Sequence, residues 1–489
     1  MNTWWMTGMV FLWLAGCVSG APPPVQELRG TWLTTTGNDA VATPQDTSRT
    51  MAKLKAIGLN TVYLEVRKNG TTHHPSKVLE RAVGVDDPAA SRSKDPVDPI
   101  RGKSSLKRDL TAEMLIEAHR NGLIAIAWFE YGFMAAHQST MNRLRRHKPE
   151  WLSRDIEGRE VAPNGFVWMN PLHPEARRFL TDLVLETIDH YDLDGIQLDD
   201  RIVWPYVTMG YDEYTQAAYA TEHGGARPPR DPKDPAWMRW RADKVNEFAK
   251  TFVREIRARR PGLVISLAPA VYPWSWDHYL LEWPKWAAWP DDEGRWDEFI
   301  PQAYRTSFEA FGKTWQAQID YMQLLGNGRQ RDLIAGIRIN GEGKDSSWDQ
   351  LRESIDLVRQ SGNGGHVLWY SKGVLENFPS ELAMLYAKAA VNPHFPANWR
   401  PVSRPLFRVP GFGSSAGESR WMVYDMPRGM HRLIGFDGIR WELIDRAPIE
   451  SGAAGVQVIF DLPARYREVE ILMDRREDMR RARTGRNKL

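Results

Sequence analysis

The sequence has little cysteine, little net charge and few long apolar runs. Cys17 is its only cysteine, so an intramolecular disulfide is impossible and a small disulfide-stapled domain is excluded. After about residue 20 no apolar run is long enough for a spanning helix. The net charge is only +2, which argues against a dedicated nucleic-acid binder. No G-x-G-x-x-G follows the first strand-like segment, so a dinucleotide-binding fold has no support.

The N-terminus differs from the rest of the chain. Residues 4–15 form a short apolar segment, as long as a signal-peptide core and too short for a stable anchor, although the first eight residues carry no Lys or Arg. The segment ends in Leu-Ala-Gly-Cys, a tetrapeptide similar to the bacterial lipobox, in which the cysteine is lipidated. We therefore expect a lipoprotein signal peptide at 1–17, lipid attachment at Cys17 and a Pro-rich tether at 18–27. Residue 18 is not Asp, so we expect an envelope lipoprotein on the periplasmic face of the outer membrane.

Strand-like and helix-like segments alternate eight times in residues 28–393. The strand-like segments are 28–36, 60–67, 123–129, 194–198, 263–267, 298–304, 333–339 and 366–370. The helix-like segments are 47–57, 106–120, 174–190, 237–259, a short one within 276–289, 308–325, 348–360 and 379–389. Strict alternation predicts an α/β protein with a parallel sheet, and eight units fit a TIM (β/α)8 barrel. A doubly wound open sheet is the structural alternative.

Two further regions complete the predicted organisation. The longest insertions are 68–107, 131–174 and 201–237, all of them strand-to-helix loops, which build the active-site face of a TIM barrel. Residues 394–489 have short alternating stretches separated by Gly and Pro, which predicts a small β-rich domain with a charged C-terminal tail.

Charged and aromatic side chains cluster where the predicted strands end. Asp199 and Asp200 directly follow a buried apolar run, and Glu130 ends the third strand. Other candidates at strand ends or in the loops that follow them are Glu65, Arg67, Trp128, Trp204, Gln302 and Tyr304. Paired carboxylates are the groups that glycoside hydrolysis uses, and aromatic rings suit the apolar faces of sugars. The pattern favours a glycosidase pocket.

Each of these features also has a structural interpretation. Glu65 and Arg67 lie two apart on a strand, share a face and would equally form an ion pair. Alternation sends only one of Asp199 and Asp200 toward the barrel axis, and each Trp is individually more typical of packing. Arg305 and Arg338 would clamp an anionic group of the substrate or pair with acids. His73 and His74 lack the spacing of a metal site, which favours a surface loop.

Several longer stretches resemble the bacterial glycosyl-hydrolase-like 10 family. They cover residues 28–393 in collinear order and are "RGTWLTT", "LNTVYLEVRKNG", "HPSKVLERAVG", "AWFEYGFMA", "WMNPLHPEAR" (with Asn170), "YDLDGIQLDD", "DPAWMRWRADKVNEF" and "FIPQAYR". The resemblance implies a barrel, an envelope location and action on bacterial glycans, in particular peptidoglycan strands without stem peptides. It also adds Asn170 to the supporting candidates.

A second resemblance concerns the catalytic pair. Residues 195–199 look like the strand-four nucleophile segment of α-amylase-like barrels, which favours Asp199 over Asp200 as the inward carboxylate. The match departs from that pattern at Gln197, and no Glu ends the fifth strand. We therefore expect Glu130 to be the proton donor, with its pKa raised by aromatic neighbours, and Asp200 to support Asp199.

Three functions follow from the sequence. The first is a cell-envelope glycoside hydrolase with a glycan substrate and no metal or cofactor. The second is a glycan-binding lipoprotein that has the groove but no activity. The third is a metal-dependent carbohydrate esterase or deacetylase that uses His73 and His74. Convergence of two carboxylates separates the first from the second, and bound metal identifies the third.

Overall fold

The computed structural model describes residues 24–84, 108–341, 343–395, 403–413, 417–424, 426, 429–449 and 457–473. The proposed lipid site Cys17, most of the tether and the charged tail from residue 474 lie outside the described residues. So do residues 85–107 of the first insertion, 68–107. None of the described helices is both long and apolar enough to cross a membrane.

Eight parallel strands form the central sheet. They are β1 (Leu28–Leu33), β2 (Thr61–Glu65), β3 (Ile124–Trp128), β4 (Gly195–Asp199), β5 (Val264–Ala268), β6 (Glu298–Phe299), β7 (Ala335–Arg338) and β8 (Gly365–Trp369). Their order in the sheet is 6-5-4-3-2-1-8-7. Isolated parallel bridges from Phe299 to Leu333 and from Gln302 to Gly336 join β6 to β7. The sheet thus curls into the predicted TIM-type barrel, which is confirmed.

Twelve α-helices lie in the described part of the chain. They are α1 (Pro44–Ile57), α2 (Lys77–Val83), α3 (Leu110–Arg120), α4 (Arg143–His147), α5 (Pro174–His190), α6 (Glu213–Glu222), α7 (Pro235–Arg259), α8 (Trp274–Tyr279), α9 (Trp283–Trp286), α10 (Phe308–Leu325), α11 (Trp348–Gln360) and α12 (Pro379–Leu385). Their starts follow from side-chain caps: Asp109, Asp234 and Ser307 each accept a backbone N–H of the first turn.

The core has two layers. The larger layer lies between the strands and the surrounding helices, and the smaller one fills the barrel itself, with Trp32, Tyr63, Ile126 and Trp128 among its members. Gln197 crosses the interior, where it accepts the Trp32 indole N–H at 2.7 Å and donates to Ser266 at 3.0 Å. The interior is therefore filled with side chains, and a ligand has access only at its ends.

The C-terminal region contains two antiparallel sheets, so its predicted β-rich character is confirmed. Its strands are β9 (Ser403–Pro405), β10 (Phe407–Gly413), β11 (Glu418–Tyr424), β12 (Gly429–Phe436), β13 (Trp441–Ile449), β14 (Gln457–Pro463) and β15 (Glu468–Met473). One sheet has the order 9-15-12-13 and the other 10-11-14. The first sheet packs on α3, where Arg120 pairs with Glu470 at 2.8 Å and Ile116 contacts a small apolar cluster.

Candidate active site

The carboxyl ends of the strands form one face of the barrel, the mouth. Four acids stand there, and we call them the mouth carboxylates: Glu65 at the end of β2, Glu130 after β3, Asp199 at the end of β4 and Asp200 directly after it. Gln302 and Tyr304 follow β6, and Trp369 ends β8. Parallel strands in a barrel end on the same face, so these side chains from distant segments meet there.

Asp199 faces inward and is almost fully buried, with a side chain 3% exposed. It shares the strand face of Gln197, and its carboxylate accepts the Trp128 indole N–H at 3.2 Å, the Arg201 backbone N–H at 3.2 Å and the Arg201 guanidinium. Burial raises the pKa of Asp199, and its acidic neighbours Asp200 and Glu130 add to that rise, while Arg201 opposes it.

Asp200 also faces the mouth, which the alternation argument did not allow for. Its side chain is 21% exposed, accepts a hydrogen bond from Gln302 Nε2 at 3.1 Å and lies 3.5 Å from Arg201. The reason is that β4 ends at Asp199, so strand alternation no longer fixes the direction of the next side chain. Asp200 is the most exposed of the mouth carboxylates.

Glu130 belongs to a chain of charges that crosses from β3 to β2. Lys68 Nζ lies 2.8 Å from Glu130 Oε2 and 3.0 Å from Glu65 Oε2, so one ammonium serves two carboxylates. Burial raises the pKa of Glu130 and the Glu65 charge adds to it, whereas Lys68 and Arg201 lower it. The Arg201 guanidinium donates to the Glu130 carbonyl at 3.0 Å, which ties this residue to β4.

Glu65 is completely buried and fully hydrogen-bonded. It accepts the hydroxyls of Thr34, at 2.5 Å, and Thr35, and the Thr35 backbone N–H at 3.3 Å. His73 Nε2 lies 2.8 Å away. Burial disfavours its charge, but Lys68, His73 and Thr34 outweigh burial and lower the pKa of Glu65. Glu65 is therefore a fixed anion that holds Lys68 in place.

The two adjacent histidines are buried, so their prediction as a surface loop is wrong. His73 contacts Glu65, whereas His74 has Nδ1 at 3.0 Å from the Thr111 hydroxyl and Nε2 at 3.3 Å from the Thr187 hydroxyl. The pair therefore contacts different groups. Within the described ranges no cluster of three or more His, Cys, Asp or Glu side chains has the arrangement of a metal site.

Arg67 does not share the surroundings of Glu65. The barrel strand ends at Glu65, and Arg67 begins a short hairpin in which Arg67–Lys68 pairs with Thr71–Thr72. Its guanidinium donates to the Gly132 carbonyl and lies over the Phe179 ring, and it forms no ion pair with Glu65 in the described structure. Lys68 takes the partner role that the spacing had suggested for Arg67.

Aromatic rings form the floor of the mouth. Trp369 lies at the centre: its ring is stacked on Tyr304 at 5.8 Å and meets Trp128 and Trp32 edge-on, each at 5.9 Å. Trp369 and Tyr304 are only partly buried, whereas Trp32 and Trp128 are buried below them. The floor thus offers a rigid apolar surface beside Asp199 and Asp200.

Two predicted site residues lie elsewhere. Trp204 is fully buried in the loop after β4, where it donates to the Met209 carbonyl at 2.9 Å, so it has no free face for a sugar. Asn170 is also buried and binds Asp212 and Thr215, each at 2.8 Å, at the start of α6. Both residues stabilise the long loops around the mouth and do not line it.

The two candidate arginine clamps have backbone partners. The Arg305 guanidinium donates to the Tyr304 carbonyl at 2.7 Å, and burial lowers its pKa. Arg338 donates to the Lys344 carbonyl at 2.7 Å.

Sequence reasoning gave no functional role to Lys68 and none to Thr34 or Thr35. The sequence did contain a signal for Lys68, which lies three residues after Glu65. In a turn that follows the end of the strand, that spacing lets the lysine reach back to the carboxylate. Nothing in the sequence indicated that the threonines after β1 would bind the carboxylate at the end of β2. The same holds for Gln302, whose Nε2 donates both to Asp200 and to the Ala268 carbonyl on β5.

A closed parallel barrel with acids and aromatic rings at its mouth defines the class of (β/α)8 proteins to which many glycoside hydrolases belong. The chain belongs to the glycosyl hydrolase-like 10 family, whose model matches residues 27–339. The family resemblance inferred from the sequence is confirmed.

Two glycosyl hydrolases are similar to about half of this chain. Glycosyl hydrolase YngK of Bacillus subtilis is 25% identical over 263 residues, 50% of this chain and 45% of the relative. Glycosyl hydrolase DigH of Escherichia coli K12 is 24% identical over 283 residues, 52% of this chain and 58% of the relative. The match therefore spans only about half of each of these relatives.

Two solved structures share the fold. The PgaB (BpsB) glycoside hydrolase domain from Bordetella bronchiseptica superposes with a TM-score of 0.55 at 13% identity, covering 75% of this chain and 99% of that domain. The catalytic domain of β-amylase from Paenibacillus polymyxa gives a TM-score of 0.50 at 9% identity, covering 75% and 98%. At these identities the likeness concerns the barrel alone.

Proposed function

We propose that this protein is a cell-envelope glycoside hydrolase that cleaves the glycan strands of peptidoglycan. The observation that carries the proposal is the convergence of Asp199 and Glu130 beside the aromatic floor formed by Trp369 and Tyr304. Arg201 contacts the Asp199 carboxylate and the Glu130 carbonyl, so the two strand ends are held together. A non-catalytic binding groove has no need for two buried acids at such a cost in desolvation.

The chemistry assigns one carboxyl to each half of the reaction. Glu130, whose pKa burial raises, donates its proton to the glycosidic oxygen as the bond to the anomeric carbon breaks. Asp199 acts on the opposite side, either as nucleophile at the anomeric carbon or as base toward water. Arg201 stabilises the anionic form of Asp199, and the Trp128 indole N–H orients it.

Asp200 is the alternative second carboxylate. Its greater exposure favours it, because a nucleophile or base must reach the sugar ring, and Gln302 fixes its orientation. The assignment to Asp199 rests on its inward direction and on its link to Glu130 through Arg201. Variants of the two aspartates separate these assignments.

The substrate and the location are proposed on different grounds. Membership of the glycosyl hydrolase-like 10 family supports a glycan substrate, and the aromatic floor supports a sugar polymer. The lipobox-like tetrapeptide supports lipid attachment at Cys17 on the periplasmic face of the outer membrane. Peptidoglycan is the glycan that a protein tethered there meets.

The test is product release from purified sacculi, intact and amidase-treated, by the soluble form that begins at Ala21. We expect the wild type to release glycan fragments, Asp199→Asn to release almost none, and Glu130→Gln to be at least about 100-fold slower, as expected for loss of a general acid. Circular dichroism checks that each variant folds. Glu213→Gln, an exposed acid on α6, is the matched control with wild-type activity.

The other outcomes are equally informative. Inactivation by Asp200→Asn with an active Asp199→Asn protein would move the second role to Asp200. Binding of strands without cleavage would favour the glycan-binding lipoprotein. If the protein neither binds nor cleaves the strands, peptidoglycan is not its substrate.

A further inference from the structure

A second group of aromatic side chains stands on the mouth, away from the floor formed by Trp369 and Tyr304. It lies on α8, in the loop that follows β5, and we call Trp274, His278 and Tyr279 the aromatic ledge. Trp274 is 41% exposed, although it is one of the largest apolar side chains in the protein. Its ring is stacked on His278 at 4.2 Å with an interplanar angle of 17° and meets Tyr279 edge-on at 5.2 Å.

The packing of Trp274 leaves a large part of its ring open. His278 stacks on the ring and Tyr279 meets it at nearly a right angle, while 41% of the side chain stays exposed, so two neighbours fix the ring orientation. An exposed tryptophan that packs loosely would lose side-chain entropy on binding a ligand, whereas a ring held by two neighbours has already lost it. The ledge is thus a preorganised flat apolar surface.

Several loops of the mouth fix the ledge in place. Val207 donates its backbone N–H to the His278 carbonyl at 2.7 Å, and Trp204 donates to the Tyr279 carbonyl at 3.2 Å. From the loop after β3, Asn164 donates to the Tyr279 hydroxyl at 3.1 Å. The loop after β4 that makes the first two contacts begins directly after Asp200, so the ledge keeps a constant position relative to the mouth carboxylates.

A short segment of chain links the ledge to the acids. Trp204, four residues after Asp200, donates its backbone N–H to the Tyr279 carbonyl at 3.2 Å, and the Tyr279 ring contacts Trp274. Burial raises the pKa of Tyr279, and the negative charge of Asp200 raises it further. Tyr279 therefore lies between Trp274 and the loop that follows the mouth carboxylates.

We infer that Trp274 forms an outer sugar-binding subsite, against which a pyranose ring of the glycan stacks at least one residue away from the cleavage point. The inference rests on the proposed function and deepens it, because an outer subsite means that the protein selects polymeric strands over short fragments. The ligand is a neutral sugar face, so no charged partner is needed at Trp274. The binding energy gained there serves to hold the strand over the acids.

The experiment measures binding of amidase-treated glycan strands, fractionated by length, to Asp199→Asn protein by isothermal titration calorimetry. Adding Trp274→Ala is expected to weaken binding of long strands about five- to tenfold, the size of one aromatic contact, and to leave a single disaccharide unaffected. Trp274→Phe keeps an apolar ring and is expected to retain most of the affinity. Phe407→Ala removes an exposed aromatic on the C-terminal sheets and serves as the matched control.

The results separate this inference from the proposed function. Equal affinities of Trp274→Ala and its parent at every length would overturn the outer subsite alone. An equal loss at every length would place Trp274 at the cleavage point and also overturn it. If the Asp199→Asn protein binds no strand of any length, the proposed substrate fails and the subsite for it fails as well.

Discussion

Two groups of buried charges lie at opposite ends of the barrel, and they differ in the number of cationic side chains that each carboxylate has. At the end where the strands begin, Glu27 pairs with Arg29 at 2.7 Å and with Arg359 at 2.8 Å, so one carboxylate has two arginines. Burial disfavours its charge, but His366, Arg359 and Arg29 together lower the pKa of Glu27 to about 2. This carboxylate stays ionised at every physiological pH.

At the mouth the ratio is reversed. Lys68 is shared by Glu65 and Glu130, and Arg201 by Asp199 and Asp200, so each cation serves two acids. Burial raises the pKa values of Glu130 and Asp199, and the shared cations offset that rise only in part. A carboxylate with two cations stabilises the fold as a permanent anion, whereas a buried carboxyl that shares its cation, such as Glu130, can hold the proton that a general acid donates. The comparison separates a structural from a chemical use of the same residue type within one barrel.

The largest effect on stability is expected from Glu27, at the end of the barrel where the strands begin. Glu27→Gln leaves two arginines without their anion and should cost about 3 kcal/mol of unfolding free energy at pH 7. Because the folded pKa is lowered, this stabilisation is present above pH 4.5 and is lost as the pH falls toward 2. Urea unfolding of both proteins at pH 7 and pH 3 checks that their difference shrinks in acid.

The control for this variant is an exposed acid. Glu247→Gln removes a carboxylate 3.9 Å from Arg177 on the surface and should change stability by less than about 0.5 kcal/mol. A Glu27→Gln protein as stable as the wild type at pH 7 would contradict the contrast between the two ends of the barrel.

A change in pH dependence is expected from Lys68→Gln. Lys68 lowers the pKa of Glu130, so its removal should raise that pKa further and keep the proton donor protonated to higher pH. The basic limb of the kcat/KM profile should therefore move to higher pH, each unit being worth about 1.4 kcal/mol. Lys68→Arg keeps the charge and should leave the limb near its wild-type position. A basic limb that stays in place or moves to lower pH would argue against Glu130 as the donor.

The smallest effect is expected from Gln302→Ala. It removes the 3.1 Å hydrogen bond to Asp200 and should lower kcat/KM by about fivefold, the value of one hydrogen bond to a charged group held near solvent. Gln302→Glu places a second negative charge beside Asp200 and should be clearly worse. If both variants retain wild-type kcat/KM, the orientation of Asp200 has no part in the reaction.

The barrel could be predicted because its signals are local. The helix-like segments 174–190, 308–325 and 348–360 have the same bounds as α5, α10 and α11, and all eight strands lie within or one residue from their predicted segments. Near-continuous apolar runs such as that of β3 indicated burial on both faces, which a parallel barrel imposes. Alternation of the two element types then selected the architecture.

The site was predictable only as far as strand geometry applies. Positions on a strand, such as Asp199 and Trp128, face the interior as the period of two implies. Residues just beyond a strand end, such as Asp200, Arg67 and Lys68, take directions set by the following turn, which the period does not describe. Trp204 resembled a sugar platform by position, but its loop folds over it, a tertiary effect that no local pattern records.

The pairing of Val25–Gln26 with Ala390–Val391 has a consequence for how the molecule is presented. This short ribbon enters β1 at the end of the barrel opposite the mouth, so the preceding chain leaves from that end. Seven residues separate Cys17 from Val25, and a chain of that length spans at most about 25 Å. With the proposed lipid at Cys17, the barrel would stand close to the membrane with its acids turned away from the lipid. The mouth would then face the space in which the glycan meshwork lies.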